Sequence, residues 1–202
     1  MARGCYIALE GAEGTGKSTH AARLATHLGA LLTRETGGTD IGTRIRAILH
    51  DTALTHLSHR AEALLTAADR AQHIDEIVAP ALLAGQHVVS DRSVYSTLAY
   101  QGYGRSLPID ELEQINHWAV DSWWPDLVVL IDTPPEVLER RMRGRQLDRF
   151  EREDDGFHGR VRDGFRTMAA NDPQRWVVID GGASMEDVGT NIRRAVSERL
   201  GL

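Results

Sequence analysis

The run Gly11-Ala-Glu-Gly-Thr-Gly16-Lys17-Ser18-Thr19 constrains the fold of this chain more than any other feature. It has the form G-x-x-x-x-G-K-[ST]. An apolar, strand-like run (Cys5–Glu10) precedes it, and a helical pattern from about Lys17 to Leu28 follows. The chemistry needs these residue types. Gly11, Gly14 and Gly16 let backbone N–H groups converge on phosphate oxygens with no Cβ in the way. The helix that follows turns its positive N-terminal end toward the anion. Lys17 is placed to reach the β- and γ-phosphates of ATP, and the Ser18 hydroxyl to hold Mg²⁺. Ala12, Glu13, Thr15 and Thr19 complete the expected nucleotide loop. The strand–loop–helix context distinguishes it from a Gly-rich turn that meets the pattern by chance. The Asp-x-x-Gly and Asn-Lys-x-Asp runs of GTPase switches do not occur, which leaves kinases and ATPases.

Strand and helix patterns alternate along the remaining chain. Strands are predicted at Ala30–Thr33, His87–Ser90, Leu127–Ile131 and Arg175–Ile179. Helices are predicted at Ile41–Leu49, from an N-cap at Ser58 toward Leu83 with Pro80 as a kink, over Pro108–Asp121, after Pro134/Pro135, over Gly156–Ala170, and after Ser184, whose spacing to Asp187 resembles a capping box. This alternation predicts an α/β fold, a mainly parallel sheet with helices on both faces. The 202 residues form one expected domain, with no repeat or linker. Arg140–Asp155 stands apart, with six arginines among acids, and reads as a mobile flap over about residues 143–156.

A net charge of −6 gives no sign of a surface that tracks a nucleic-acid backbone. Cys5 is the single cysteine, which favours a reducing, cytoplasmic setting. No run approaches the ~20 apolar residues that span a bilayer. His56 and His59 lack further ligands and read as a polar loop. Trp118, Trp123 and Trp124 read as cover for a hydrophobic edge.

Four further segments resemble the thymidylate kinase family. They are Arg34-Glu-Thr-Gly-Gly-Thr39, Ala67-Ala-Asp-Arg70-Ala-Gln-His73, Ser90-Asp91-Arg92-Ser-Val-Tyr-Ser96-Thr97-Leu-Ala-Tyr100-Gln101-Gly102, and Leu147-Asp-Arg149-Phe-Glu151. They keep that family's order and extend from about Cys5 to Asp180. The resemblance implies a P-loop NTPase fold, a three-layer α/β/α sandwich on a five-stranded parallel sheet of order 2-3-1-4-5. It implies phosphorylation of dTMP by ATP with Mg²⁺, and a homodimer. Asp91 would lie near the metal or its waters. Arg92 would hold the acceptor phosphate, which its planar guanidinium suits. Glu13 would approach the sugar hydroxyl, and Tyr100 would disfavour ribose. Arg70, Ser96, Thr97 and Gln101 would line the acceptor site; Thr97 and Gln101, four apart, can share one helical face.

Three positions depart from the pattern: Thr66 stands where the family has a base-stacking Phe, Thr36 where it has Pro, and Ser93 where it has an aromatic residue or His. They bear on the acceptor's base and leave the phosphate machinery untouched. A phosphate monoester is already nucleophilic near pH 7, so the reaction needs in-line positioning and charge neutralisation, not a general base. Gly14 stands where some members carry a loop arginine, so the remaining cation is expected from the flap: Arg143, Arg145 or Arg149, with Arg149 favoured by its Asp-Arg-Phe-Glu context. The alternatives are a kinase of another, perhaps 5-modified, deoxypyrimidine monophosphate, a small-metabolite kinase, and a nucleotide-binding regulator without catalysis.

Overall fold

The structure, a computed structural model, describes residues 2–202. Five parallel strands are formed: β1 (Tyr6–Glu10), β2 (Leu31–Arg34), β3 (Val88–Asp91), β4 (Leu127–Asp132) and β5 (Trp176–Asp180). Their order across the sheet is β2-β3-β1-β4-β5. Burial follows position. The central β1 is buried at all five residues, whereas the edge strands β2 and β5 alternate with exposed positions. Alternate residues of β1 serve opposite faces. Tyr6 joins Val88, Val128, Leu130, Phe157 and Phe165 on one side. Ile7 and Leu9 join Val89, Leu127, Val129, Ala21 and Ile192 on the other.

The helices are α1 (Lys17–Leu28), α2 (Asp40–His50), α3 (His59–His73), α4 (Ala79–Leu83), α5 (Val94–Thr97), α6 (Ile109–Val120), α7 (Pro135–Met142), α8 (Asp155–Asn171) and α9 (Met185–Leu200). Side chains close several N-termini: Thr39, Ser58, Asp154 and Ser184 accept from the N–H groups of Gly42, Ala61, Phe157 and Asp187. Ser184 also donates its hydroxyl to Asp187 Oδ2, so the predicted box closes through the hydroxyl.

Strand ends differ from the sequence reading by about one residue. The long helix from Ser58 contains a wider π-helical turn, Ile74–Val78, whose last bond runs from the Ala79 N–H to Ile74 O. Pro80 follows at once and has no N–H to give, so the backbone adjusts there by widening. A second π-helical segment, Leu98–Gly104, continues α5. Helix α7 buries none of its residues, and the arginine-rich flap follows it directly.

Candidate active site

The carboxyl ends of β1 and β3 open onto a cavity of about 560 Å³, floored by the P-loop and roofed by the flap. The loop needs its glycines. A Cβ at Gly11 would stand 2.7 Å from Ile131 O, and Gly16 has φ +90°. Lys17 is buried and donates to Ala12 O at 2.7 Å. Burial pushes its pKa down, as does Arg92, while Glu13, Asp91 and Glu10 pull it back up. Ser18, first-turn neighbour of Lys17, donates its hydroxyl to Asp91 Oδ2 across the β1–β3 junction. Asp91 Oδ1 is buried with no hydrogen-bond partner among the described residues.

Arg92 follows β3 with φ +74°, held there by its N–H on Leu9 O (2.9 Å) and by Ser90 Oγ, which donates to its carbonyl at 2.7 Å. This unusual backbone aims the guanidinium back over the P-loop. It donates to Glu13, Ser96 Oγ (3.1 Å) and Tyr100 OH (3.1 Å), and lies 4.9 Å from the Tyr100 ring centre. Tyr100 OH in turn donates to Glu13 at 3.2 Å. Burial pushes the Glu13 carboxyl up, but Arg92 and Lys17 more than offset it and hold it below the usual range. Beneath them Glu10 is fully buried and accepts from Ser93 N, Ser93 Oγ and Ser96 Oγ at 2.7–2.8 Å. Burial leaves its pKa raised despite Arg92, Ser96 and Ser93.

The deeper wall is built by α3 and the segment after β3. Thr97 Oγ1 donates to Thr66 Oγ1 (3.3 Å) and Gln101 Nε2 donates to Glu62 Oε1 (2.8 Å), two rungs between the helices. Arg70 is 2% exposed. It donates to Glu35 Oε2 (2.8 Å), Asn116 Oδ1 (2.5 Å) and Ser93 O (3.2 Å), and still borders the cavity. Thr36, after a cis bond from Glu35, also lines it.

The flap arginines divide. Arg149, favoured from the sequence, does not line the cavity. Its Nε donates to Leu49 O at 2.7 Å, its Nη2 lies 2.7 Å from Glu62 Oε2, and its guanidinium stacks on Phe150. A fully buried carboxylate draws it behind the wall. Arg143 is exposed beside Glu139 and also lies off the cavity. Arg145 borders the cavity and is half exposed. The structure thus brings together Glu13, Gly14, Gly16 to Thr19, Thr66, Arg70, Asp91, Arg92, Ser96, Thr97, Tyr100, Gln101 and Arg145 around one cavity.

Sequence reasoning missed Glu10, Glu62, Arg34, Arg46 and the His50–Asp148 contact. Glu10 carried a legible signal, an acid closing an apolar strand beside a P-loop. The others sit on unrelated segments that only the fold joins. Asp148 receives the N–H groups of Phe150 and Glu151 on Oδ1 and His50 Nδ1 at 2.7 Å from Oδ2. Burial pushes its carboxyl up, but His50 and these N–H groups outweigh it and hold the pKa at about 2. A depressed carboxylate contributes stability above its ordinary pKa and loses it as pH falls toward the depressed one. Wild type should therefore lose thermal stability between about pH 4 and pH 2 more steeply than Asp148→Asn, read from Tm across that range.

A P-loop before the helix that follows β1, an Asp-Arg turn beside it and an arginine flap above define a phosphoryl-transfer site of the P-loop kinase class. The sequence profile described as thymidylate kinase matches residues 9–192. The thymidylate kinase of Synechococcus sp. (strain JA-3-3Ab) is 46% identical, covering 96% of each chain. That of Oleidesulfovibrio alaskensis is 43% identical, covering 96% of this chain and 97% of its own. The crystal structure of thymidylate kinase from Ehrlichia chaffeensis superposes with a TM-score of 0.81 at 30% identity, over 96% of this chain and 99% of that one. The chain belongs to the thymidylate kinase family.

Proposed function

We propose that this protein transfers the γ-phosphate of ATP to dTMP, giving dTDP and ADP. The observation that carries the reading is the junction of two phosphate sites. Lys17 serves the donor side, and Arg92, locked by its backbone 2.9 Å above Leu9 O, serves the acceptor side of one cavity. A phosphate oxygen of dTMP attacks the γ-phosphorus in line, and the bond to the β-phosphate oxygen breaks. Lys17 and Arg92 neutralise charge that spreads over the transferred group. Tyr100 and Glu13, bonded to one another and to Arg92, form the wall that meets the sugar and disfavours ribose.

Ser18 and Asp91 fit a hard cation, since the buried Asp91 Oδ1 has an unused acceptor site beside the Ser18 hydroxyl. They would hold Mg²⁺ with the ATP phosphates, and the ion would supply further neutralisation of those oxygens. Arg145 is the flap cation that this reading places on the transferred phosphate. Arg145→Ala is expected to lower kcat about 10–100-fold. Arg149→Ala should keep kcat within a few-fold and lower Tm by about 3 °C, because its tie is to Glu62 and the flap. Steady-state rates and melts on both variants check this, and equal kcat losses would refute it.

The reading extends to a homodimer in the cytoplasm. Trp118 on α6 and Leu64 on α3 are exposed on two helices that pack together, and the one cysteine is free. No helix of the described residues is long and apolar enough to cross a membrane. The test of function is ATP-dependent ADP release with dTMP, dUMP, UMP, CMP, dGMP and AMP. Efficient turnover of dTMP, weaker use of dUMP and negligible use of UMP are expected. A better acceptor than dTMP would move the substrate and direct attention to Thr66, Thr36 and Ser93.

A further inference from the structure

We infer that Glu62 is a positioning residue for acceptor-base selection, because it fixes which end of the Gln101 amide faces the cavity. The inference rests on the dTMP reading above and goes beyond it to the choice among pyrimidines.

Glu62 lies on α3, fully buried, with side-chain exposure of 0%. Its Oε1 accepts from Gln101 Nε2 at 2.8 Å and from Arg105 Nε at 3.2 Å. Its Oε2 accepts from Arg105 Nη2 at 3.3 Å and lies 2.7 Å from Arg149 Nη2. Two guanidinium groups keep this carboxylate ionised, and an ionised carboxylate only accepts. The amide nitrogen of Gln101 must therefore be the end that meets Glu62. The amide oxygen is left over, and no described protein group donates to it, although Gln101 borders the cavity.

The neighbouring wall group has the opposite character. Arg70 can only donate, and its three protein hydrogen bonds use three of its five N–H groups. The base end of the cavity thus offers a donor from Arg70 and an acceptor from Gln101. Thymine and uracil present a carbonyl oxygen at C4 next to an N–H at N3, which complements that order. Cytosine presents an amino group at C4 and a bare ring nitrogen, which reverses it. A flipped Gln101 amide would set a donor against the N3–H. Glu62 prevents the flip from behind the wall, without touching the base itself.

The same carboxylate holds Arg149 of the flap and Arg105, which pairs with Glu153 at 2.6 Å. Gln101 is therefore oriented by a hub that also fastens the roof of the cavity.

The experiment compares kcat/KM for dTMP, dUMP and dCMP in wild type and Glu62→Gln. Wild-type turnover of dTMP tests the function itself and comes first. A Gln at position 62 offers both a donor and an acceptor, so the Gln101 amide loses its single orientation. The dTMP/dCMP preference should fall about tenfold or more, chiefly through the acceptor KM. The dTMP/dUMP ratio and the KM for ATP should stay within about twofold, since neither depends on that amide. A folded Glu62→Gln enzyme with an unchanged dTMP/dCMP preference overturns the inference, as does an equal loss toward all acceptors. Gln101→Leu leaves Glu62 with both arginines and covers the case in which Glu62→Gln does not fold. Its dTMP/dCMP preference should fall likewise, and a preserved preference overturns the inference.

Discussion

Lys17→Ala is expected to lower kcat by about three orders of magnitude while leaving a folded protein, an effect of the size seen when preorganised charge is removed from a phosphoryl-transfer site. The side chain is 5% exposed, and its ammonium donates to Ala12 O at the loop's own backbone. It is therefore held at the phosphate position before any nucleotide binds, and its alignment costs little at the moment of reaction. Burial and Arg92 both work against its charge, and Glu13, Asp91 and Glu10 restore it. The structural role is small by comparison, one hydrogen bond within a loop whose shape the glycines set. ADP release at saturating ATP, with ATP affinity measured separately by calorimetry, separates transition-state from ground-state loss. A variant within tenfold of wild-type kcat would remove Lys17 from the chemistry.

Arg92→Ala should lower kcat/KM for dTMP by about 10³-fold and also leave a pH signature in stability. The guanidinium is the common partner of Glu13, Tyr100 and Ser96, and the first counterweight to the burial of Glu10. Without it the folded-state pKa of Glu10 rises further above its unfolded value. A carboxyl raised in this way destabilises the protein when ionised, and the cost shrinks as pH falls through the folded pKa toward the unfolded one. The Tm deficit of Arg92→Ala relative to wild type should therefore be larger at pH 8 than at pH 5. Arg92→Lys keeps the charge but not the fork, and is expected to recover only part of the activity. A pH-independent deficit would mean that Glu10 is balanced by its three hydroxyl and N–H donors alone.

The phosphate half of the site was legible because its residues are contiguous. One nine-residue run supplies Gly11 to Thr19, and one strand end supplies Asp91 and Arg92, so local pattern and chemistry coincide. The strand order expected from the resemblance matches the observed sheet. The base half was less legible. Thr66, Arg70, Thr97 and Gln101 were named, but the group that orients Gln101 was not. Glu62 is separated from Gln101 by 39 positions, and an acid on a helix reads as solvated. Arg149 was misread for the same reason. Its motif is local, but its destination depends on a buried carboxylate elsewhere in the chain. The π-helical turns were also out of reach, because apolar periodicity does not separate 3.6 from a slightly wider winding over one turn.

The second of those turns, Leu98–Gly104, bears on how this chain can change in length. A widened turn holds more residues per revolution than the α-helix it interrupts. Loss of a single residue there would let the segment rewind to α geometry and swing everything after it by about 100° around the axis. Tyr100 and Gln101 lie inside the segment, and Arg105 follows at its end, with its N–H on Tyr100 O at 2.9 Å. A substitution in this stretch changes one contact. A one-residue deletion would turn the sugar wall, the base acceptor and the flap tie to different directions at once. Homologues and engineered variants should accordingly vary in residue type here far more readily than in residue number.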